Sequence, residues 1–431
     1  MSTLYNLRKR IFFVFIAIMI FRIGSFIPIP GINIQVLEKF FIYKNSSILT
    51  MFNMFSGGSL NRASIFALGV MPYISSSIIV QLLTLISSYL RNLKKEGDIG
   101  KKTINQYTKY ITFFLSIIQS IGVVISLPFL PGMKNIIVFA DCYFYIIAVV
   151  SLVTGTIFLM WLGELITTKG VGNGVSFIIF SGIISGLPAS VIRTYKLIKI
   201  KNFSFLYVFF LLLIIFFVIF IVVFIEKSQR KIIVCYARRQ QGRRMYTAHH
   251  SYLPLKLNMA GVIPVIFSSS LIVFPSILLT YLRYVFNDYK KIIYFFDFLK
   301  FKHSIYLIVN IILIIFFCFF YTNIIFNVQD TANNLKKSGA FLPGIRPGLK
   351  TAEYIKNIVF KLTTIGSIYT VFICLIPDIV RYFFKVPFNF GGTSLLIVVV
   401  VLIEFITQTQ TLMMSTQYKK ILKKSHLYLK N

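Results

Sequence analysis

The sequence predicts an all-α polytopic membrane protein, and three observations carry that reading. About ten apolar runs fill the chain, each near the roughly 20 residues an α-helix needs to cross the hydrocarbon core. Hydrophobic residues make up 57% of the chain and charged residues only 13%, where soluble domains carry nearer a quarter charged. Lys and Arg collect in alternate connections, as cytoplasmic loops of membrane proteins do. That pattern accounts for the net charge of +33 better than nucleic-acid binding does.

The first run follows Leu7-Arg8-Lys9-Arg10 and covers 11–29. A signal peptide begins similarly, but this run is longer and lacks an Ala-x-Ala cleavage site, so a retained span is expected. Further spans are expected at 65–88, 109–129, 142–164, 174–191, 204–226, 257–282, 304–327, 357–379 and 391–411. An even number places both termini on one side. With the termini cytoplasmic, the inside connections hold roughly twice as many Lys and Arg as the outside ones. Five spans precede the connection at 192–203 and five follow. This divides the chain into halves at 1–191 and 192–431, and an odd number per half makes them run oppositely through the bilayer.

The stretch before the second span, Met51 to Ser64, is too polar to face lipid and too apolar for a free loop. Non-helical backbone at membrane depth survives only against protein or a water-filled cavity. A short half-helix tucked into a cavity fits that constraint. An outside loop with an interfacial helix is the other open reading.

Chemistry-bearing patterns are sparse. The chain has only twelve acidic residues, and buried acids are the usual mark of ion-coupled transport. Glu164 and Glu226 fall at cytoplasmic helix ends, and Glu404 lies near the inner end of the last span. Arg22, deep in the first span, either snorkels outward or pairs with another helix, and snorkelling is favoured. Cys142, Cys235, Cys318 and Cys374 form no CxxC pair, and His249-His250 lies in a basic loop, so no metal or disulfide framework is indicated. No nucleophile elbow, HExxH or Walker sequence occurs, so neither enzyme nor cofactor is expected. Gly170-Val171-Gly172-Asn173-Gly174 reads as a tight turn, and Gly182 with Gly186 as a small-residue pair for close helix packing.

Two cytoplasmic loops are large. Loop 227–256 carries Arg238, Arg239, Arg243 and Arg244 around Gly242, a cluster suited to a polyanionic partner. Loop 328–356 carries Arg346 between Pro343-Gly344 and Pro347-Gly348, which argues for a shaped, protruding structure. On these residues alone, a protein channel and a small-solute secondary transporter stand equal.

Several motifs, in order along the chain, then resemble the SecY family of bacterial protein-conducting channels. They are Phe21-Arg22-Ile23-Gly24-Ser25-Phe26-Ile27-Pro28-Ile29-Pro30-Gly31, the Met51–Ser64 stretch, Met71-Pro72-Tyr73-Ile74 and Gly172-Asn173-Gly174. Asn258-Met259-Ala260-Gly261-Val262-Ile263-Pro264, the Pro343–Gly348 loop and Gly391-Gly392-Thr393-Ser394-Leu395-Leu396-Ile397 complete the set. The resemblance implies ten spans in two pseudo-symmetric halves around an hourglass pore in the bacterial inner membrane. It implies a plug that includes Asn53, Phe55, Ser56, Gly57, Gly58 and Arg62. It implies a pore ring of Val70, Ile74, Val175, Ile179, Ile266 and Ile397. A lateral gate would place polar contacts on Ser75, Gln119 and Asn258. The implied partners are SecE, SecG, the motor ATPase SecA, the ribosome, signal sequences and unfolded polypeptides. Arg238, Arg239, Arg243, Arg244 and Arg346 are then the docking residues.

Overall fold

The computed structural model of the chain describes residues 2–33, 36–37, 53, 56–126, 142–199, 205–236, 239–241, 244–246, 250–272, 303–384 and 392–428. Its helices are α1 (Ser2–Gly24), α2 (Met71–Ile86), α3 (Ser88–Lys95), α4 (Asp98–Ser126), α5 (Cys142–Lys169), α6 (Gly174–Lys199) and α7 (Phe205–Lys227). Strands β1 (Gln229–Tyr236), β2 (Arg239–Gln241), β3 (Arg244–Tyr246) and β4 (His250–Lys256) follow. Then come α8 (Ile263–Ile272), α9 (His303–Ile325), α10 (Val328–Lys337), β5 (Ala340–Phe341), α11 (Leu349–Phe384) and α12 (Gly392–Tyr428).

Every expected span overlaps one helix, in order α1, α2, α4, α5, α6, α7, α8, α9, α11 and α12. Among the described residues, five stretches, one of them running from α9 into α10, are long and apolar enough to cross a membrane by length and composition alone, or six if the bent pair α2 and α3 is one span. The protein is thus a multi-pass, all-α membrane protein, with an addition that hydropathy does not reveal: two small antiparallel sheets among the described residues.

Local chemistry sets the breaks. Pro72 sits in the first turn of α2, where a missing N–H costs nothing. At Ser87 the backbone turns extended, and α3 leaves α2 at 99°. α10 starts at Asn327, whose side chain accepts from the N–H groups of Gln329 and Asp330 at 3.1 and 3.3 Å.

By contact the chain forms two compact units. One contains Met1–Phe203, Ser269–Lys302 and Pro387–Asn431, and the other Ser204–Ser268 and His303–Val386. In the first, α1 packs on α5, α6 and α12, α2 on α4, α4 on α5, α5 on α6, and α6 on α12. In the second, α9 and α10 pack on α11, beside a sheet of order β4-β1-β5. The halves read from the sequence are a relation of topology, which contact density does not address.

The α5–α6 contact depends on missing side chains. A Cβ at Gly174 would run into the carbonyl of Gly163, and the Gly174 N–H donates to Thr167 Oγ1 at 2.9 Å. This corrects the small-residue reading of Gly182 and Gly186. Gly163 and Gly174 make the close helix approach, Gly182 meets Gly57, and nothing lies within 4 Å of a Cβ built at Gly186.

Candidate functional site

In the first unit, residues 56–66 fold back between helices as irregular backbone. The base is fixed by a short bridge: Ile29 N–H donates to Ala63 O at 2.8 Å, and Ile65 N–H donates to Ile27 O at 3.0 Å. Phe66 then stacks between Phe21 and Phe158, with ring centroids 6.1 and 5.8 Å away. A Cβ at Gly24 would strike the Phe66 ring, and one at Gly155 the Ile65 carbonyl, so glycines admit this segment on both sides.

The tip is held differently. Gly57 and Gly58 both take left-handed backbone, with φ +70° and +81°, which glycine alone adopts freely. The turn closes on Asn53: Gly58 N–H donates to its carbonyl at 2.8 Å, and Asn61 N–H to its Oδ1 at 3.0 Å. The Gly57 carbonyl accepts from Arg22 Nη1 at 3.0 Å and from Ser185 Oγ at 3.2 Å. The guanidiniums of Arg22 and Arg62 both lie over the Phe26 ring, 4.8 and 4.0 Å from its centroid. Arg22 therefore pairs with the Met51–Ser64 stretch, contrary to the favoured snorkelling, because an acceptor lies within its reach. Ser56, Ser59 and Ser64 are buried. The described part of the stretch, residue 53 and residues 56–64, is buried or half-buried polar backbone in turns folded against helices. Phe55 lies outside the described residues.

The residues assigned to the ring are mostly buried. Val70 and Ile74 are one helical turn apart at the start of α2, and Val175 and Ile179 one turn apart at the start of α6. Val70, Ile74, Ile179, Ile266 and Ile397 are buried and Val175 is half-buried. Ile397 sits in the second turn of α12, which packs on α6. Ile266 belongs to the second unit.

Of the gate residues, Ser75 is half-buried and Gln119 buried. A polar contact that joins α2 to α4, not singled out in the sequence, is made by Ser76, whose Oγ lies 2.5 Å from Thr112 Oγ1. Asn258, in the second unit, is buried and donates from Nδ2 to Glu226 Oε1 at 2.7 Å and to Gly261 O at 3.3 Å. Its backbone and Oδ1 lie 3.5 Å from a Cβ built on Gly366, so the absence of a side chain there leaves room for it.

The two large loops form one folded body. β1 pairs with β4 from Gln229↔Lys256 to Cys235↔His250, and with β5 through Cys235↔Phe341 and Tyr236↔Ala340. Ile232, Val234, Leu255, Ala340 and Leu342 form its core with Ile355, Ile358, Val359 and Leu362 of α11. β2 and β3 make a hairpin in which Gln241 pairs with Arg244, so Gly242 and Arg243 fall between the paired residues. Arg239 and Arg244 lie on its strands, while Arg238 and Arg243 are outside the described residues. Arg346 is exposed. Gly344 and Gly348 flank it at φ +76° and +105°, and its carbonyl accepts from Thr351 Oγ1 at 2.9 Å. An isolated arginine is thus presented on a turn fixed from beneath by Leu342.

A multi-pass helical protein with a polar segment folded back among its helices belongs to the class of polytopic α-helical membrane proteins. A solved structure described as that of a protein conducting channel has this fold, with a TM-score of 0.64 at 14% sequence identity over 95% of this chain and 93% of that one. Sec61 in the canine ribosome-channel complex from the endoplasmic reticulum gives a TM-score of 0.61 at 14% identity, with the same coverage of both chains. Residues 64–406 match the SecY family model. The protein translocase subunit SecY of Buchnera aphidicola subsp. Acyrthosiphon pisum (strain APS) is 56% identical over 426 residues, which is 99% of this chain and 97% of that protein. The chain belongs to the SecY family.

Proposed function

We propose that this chain is the channel subunit of a protein translocase. It passes unfolded secretory proteins across the bacterial inner membrane and releases transmembrane segments sideways into lipid. The observation that carries the reading is family membership over nearly the whole chain, at 56% identity to a protein translocase subunit. Ten spans, arranged as inverted halves 1–191 and 192–431, surround the pore, with both termini cytoplasmic. The excess of Lys and Arg on that side supports the orientation.

Val70, Ile74, Val175, Ile179, Ile266 and Ile397 form the waist. An aliphatic ring closes around a passing chain without preferring its sequence, and an empty one resists ions by dewetting. Asn53, Phe55, Ser56, Gly57, Gly58 and Arg62 belong to the plug that covers it when idle. Ser75, Gln119 and Asn258 line the lateral gate, through which an apolar segment partitions by its own transfer free energy. No side chain performs chemistry in this scheme, so the subunit is not itself an enzyme. SecA supplies ATP-driven movement, SecE and SecG complete the heterotrimer, and the ribosome docks co-translationally. The Sec61 relative in a ribosome-channel complex supports that last assignment. Arg238, Arg239, Arg243, Arg244 and Arg346 form the docking surface, supported by the sheet that ties the two loops into one body. A small-solute transporter has no comparable support.

The test is cysteine crosslinking to an arrested translocating chain. Ile74→Cys, Ile179→Cys and Ile397→Cys are expected to crosslink strongly, and exposed positions such as Phe216→Cys weakly. Crosslinks confined to the exposed positions would overturn the ring.

A further inference from the structure

We propose that Arg22 of the first span is the clasp that holds the plug tip shut, and so sets how readily the idle channel opens. The inference rests on reading the Met51–Ser64 stretch as the plug. The two ends of that segment are held in different ways. At its base, paired backbone hydrogen bonds run between Ile27–Ile29 and Ala63–Ile65, and nothing in such a ladder releases without breaking secondary structure. At its tip, one carbonyl, that of Gly57, takes two side-chain donors from two different helices: Arg22 at 3.0 Å and Ser185 at 3.2 Å. A guanidinium donor makes the stronger of the two bonds.

The clasp carries its own release. Arg62, on the plug, lies over the same Phe26 ring as Arg22, close enough for the two positive charges to repel. Cation–π attraction draws both toward the ring while repulsion opposes it. The tip is therefore held by directional bonds to one atom against a built-in opposing force. Such an arrangement favours the shut state modestly and lets a small perturbation free it. The left-handed Ala63, φ +42°, is the first residue of the paired base, so the tip swings from the point where that pairing begins.

The experiment uses the full-length chain, reconstituted with the subunits that co-purify with it, and measures idle ion conductance per inserted channel in planar bilayers. The backgrounds are the unaltered chain and a deletion of residues 53–62. Arg22→Met is expected to raise the open-to-shut ratio roughly ten- to a hundredfold, the worth of one charge-assisted hydrogen bond. Arg22→Lys, which keeps one charged donor, is expected to fall between. Ser185→Ala weakens the same carbonyl's hold from the other helix without touching the guanidinium, and is expected to raise the ratio about fivefold. In the deletion background Arg22→Met should add nothing, because there is no tip left to hold. If the deletion leaks while Arg22→Met and Ser185→Ala stay tight, the clasp is wrong and the plug reading stands. If Arg22→Met leaks equally in both backgrounds, Arg22 acts elsewhere and the clasp is wrong. If the deletion itself is as tight as the unaltered channel, the plug reading fails and the clasp fails with it.

Discussion

Replacing Gly57 by alanine tests the tip directly, and its cost can be worked from geometry. At φ +70° a residue with a Cβ is held in left-handed backbone, which costs roughly 1–2 kcal/mol. The new methyl would stand 3.1 Å from the Gly182 Cα and 3.4 Å from Phe21 Cζ. Neither neighbour yields easily: one is helix backbone, and the other is a 1%-exposed ring stacked on Phe66. The tip must shift by a few tenths of an ångström, which stretches the Arg22 and Ser185 bonds to the Gly57 carbonyl. Together these effects disfavour the shut tip by about 2–3 kcal/mol, a rise of about 30- to 150-fold in the open-to-shut ratio. Gly58→Ala is the control. It has φ +81° but open space around its Cβ, so only the backbone term applies, about tenfold. The assay is single-channel conductance of idle channels, with insertion quantified by channel count. A Gly57→Ala channel no leakier than Gly58→Ala would refute the claim that close approach to Gly182 seats the plug.

Three further outcomes follow from the cytoplasmic face and the gate. Arg346→Glu should abolish SecA-driven transport in reconstituted vesicles while insertion and ribosome affinity persist, because the turn is held by Leu342 and Thr351 and not by the guanidinium; normal transport would remove Arg346 from the docking surface. Leu342→Ala, at a site 1% exposed, should cost about 2–5 kcal/mol locally and raise hydrogen exchange across 340–348, whereas unchanged protection would show that the sheet does not support the turn. Asn258→Leu should shift the signal-sequence hydrophobicity needed for insertion, and Glu226→Gln should shift it less, since a glutamine oxygen still accepts from Asn258 Nδ2 in place of the 2.7 Å bond; equal effects would assign the control to Glu226.

The spans were legible because hydropathy over 20 residues needs no knowledge of neighbours. The sheet was less so. β1 alternates as strands do, with Ile232 and Val234 inward and Lys231 and Ile233 outward. That signal sat within a basic loop, where charge dominated the reading. β5 is two residues long and pairs more than a hundred positions away in sequence, so no local pattern could mark it. Arg22 shows the same limit. Its depth in the first span was evident, but snorkelling and pairing differ only by an acceptor 35 residues away. Likewise the Ser76–Thr112 contact between α2 and α4 joins residues 36 positions apart, which no local pattern marks.

The polar character that singled out the Met51–Ser64 stretch in the sequence also explains how it can move. Ser59 Oγ, Asn61 Oδ1, Arg62 Nη1 and Ser64 Oγ are buried with no hydrogen-bond partner among the described residues, and each such group costs about 1–3 kcal/mol relative to a solvated one. A fully apolar segment would bind its helices too firmly, and a fully polar one would not enter at all. With these groups disfavouring burial, and Gly57, Phe26 and the Ile29–Ala63 bridge favouring it, the shut state rests on a small difference between opposed terms. On the proposed plug role, a translocating chain that displaces the tip would solvate those four atoms, so opening would be assisted by the same groups that make closure marginal. Replacing Ser59 and Ser64 together by alanine should therefore tighten the idle channel and raise the signal strength needed to open it, the opposite direction from Gly57→Ala. Increased leak in that double variant would mean the two hydroxyls stabilise the shut plug, and the balance described here would have the wrong sign.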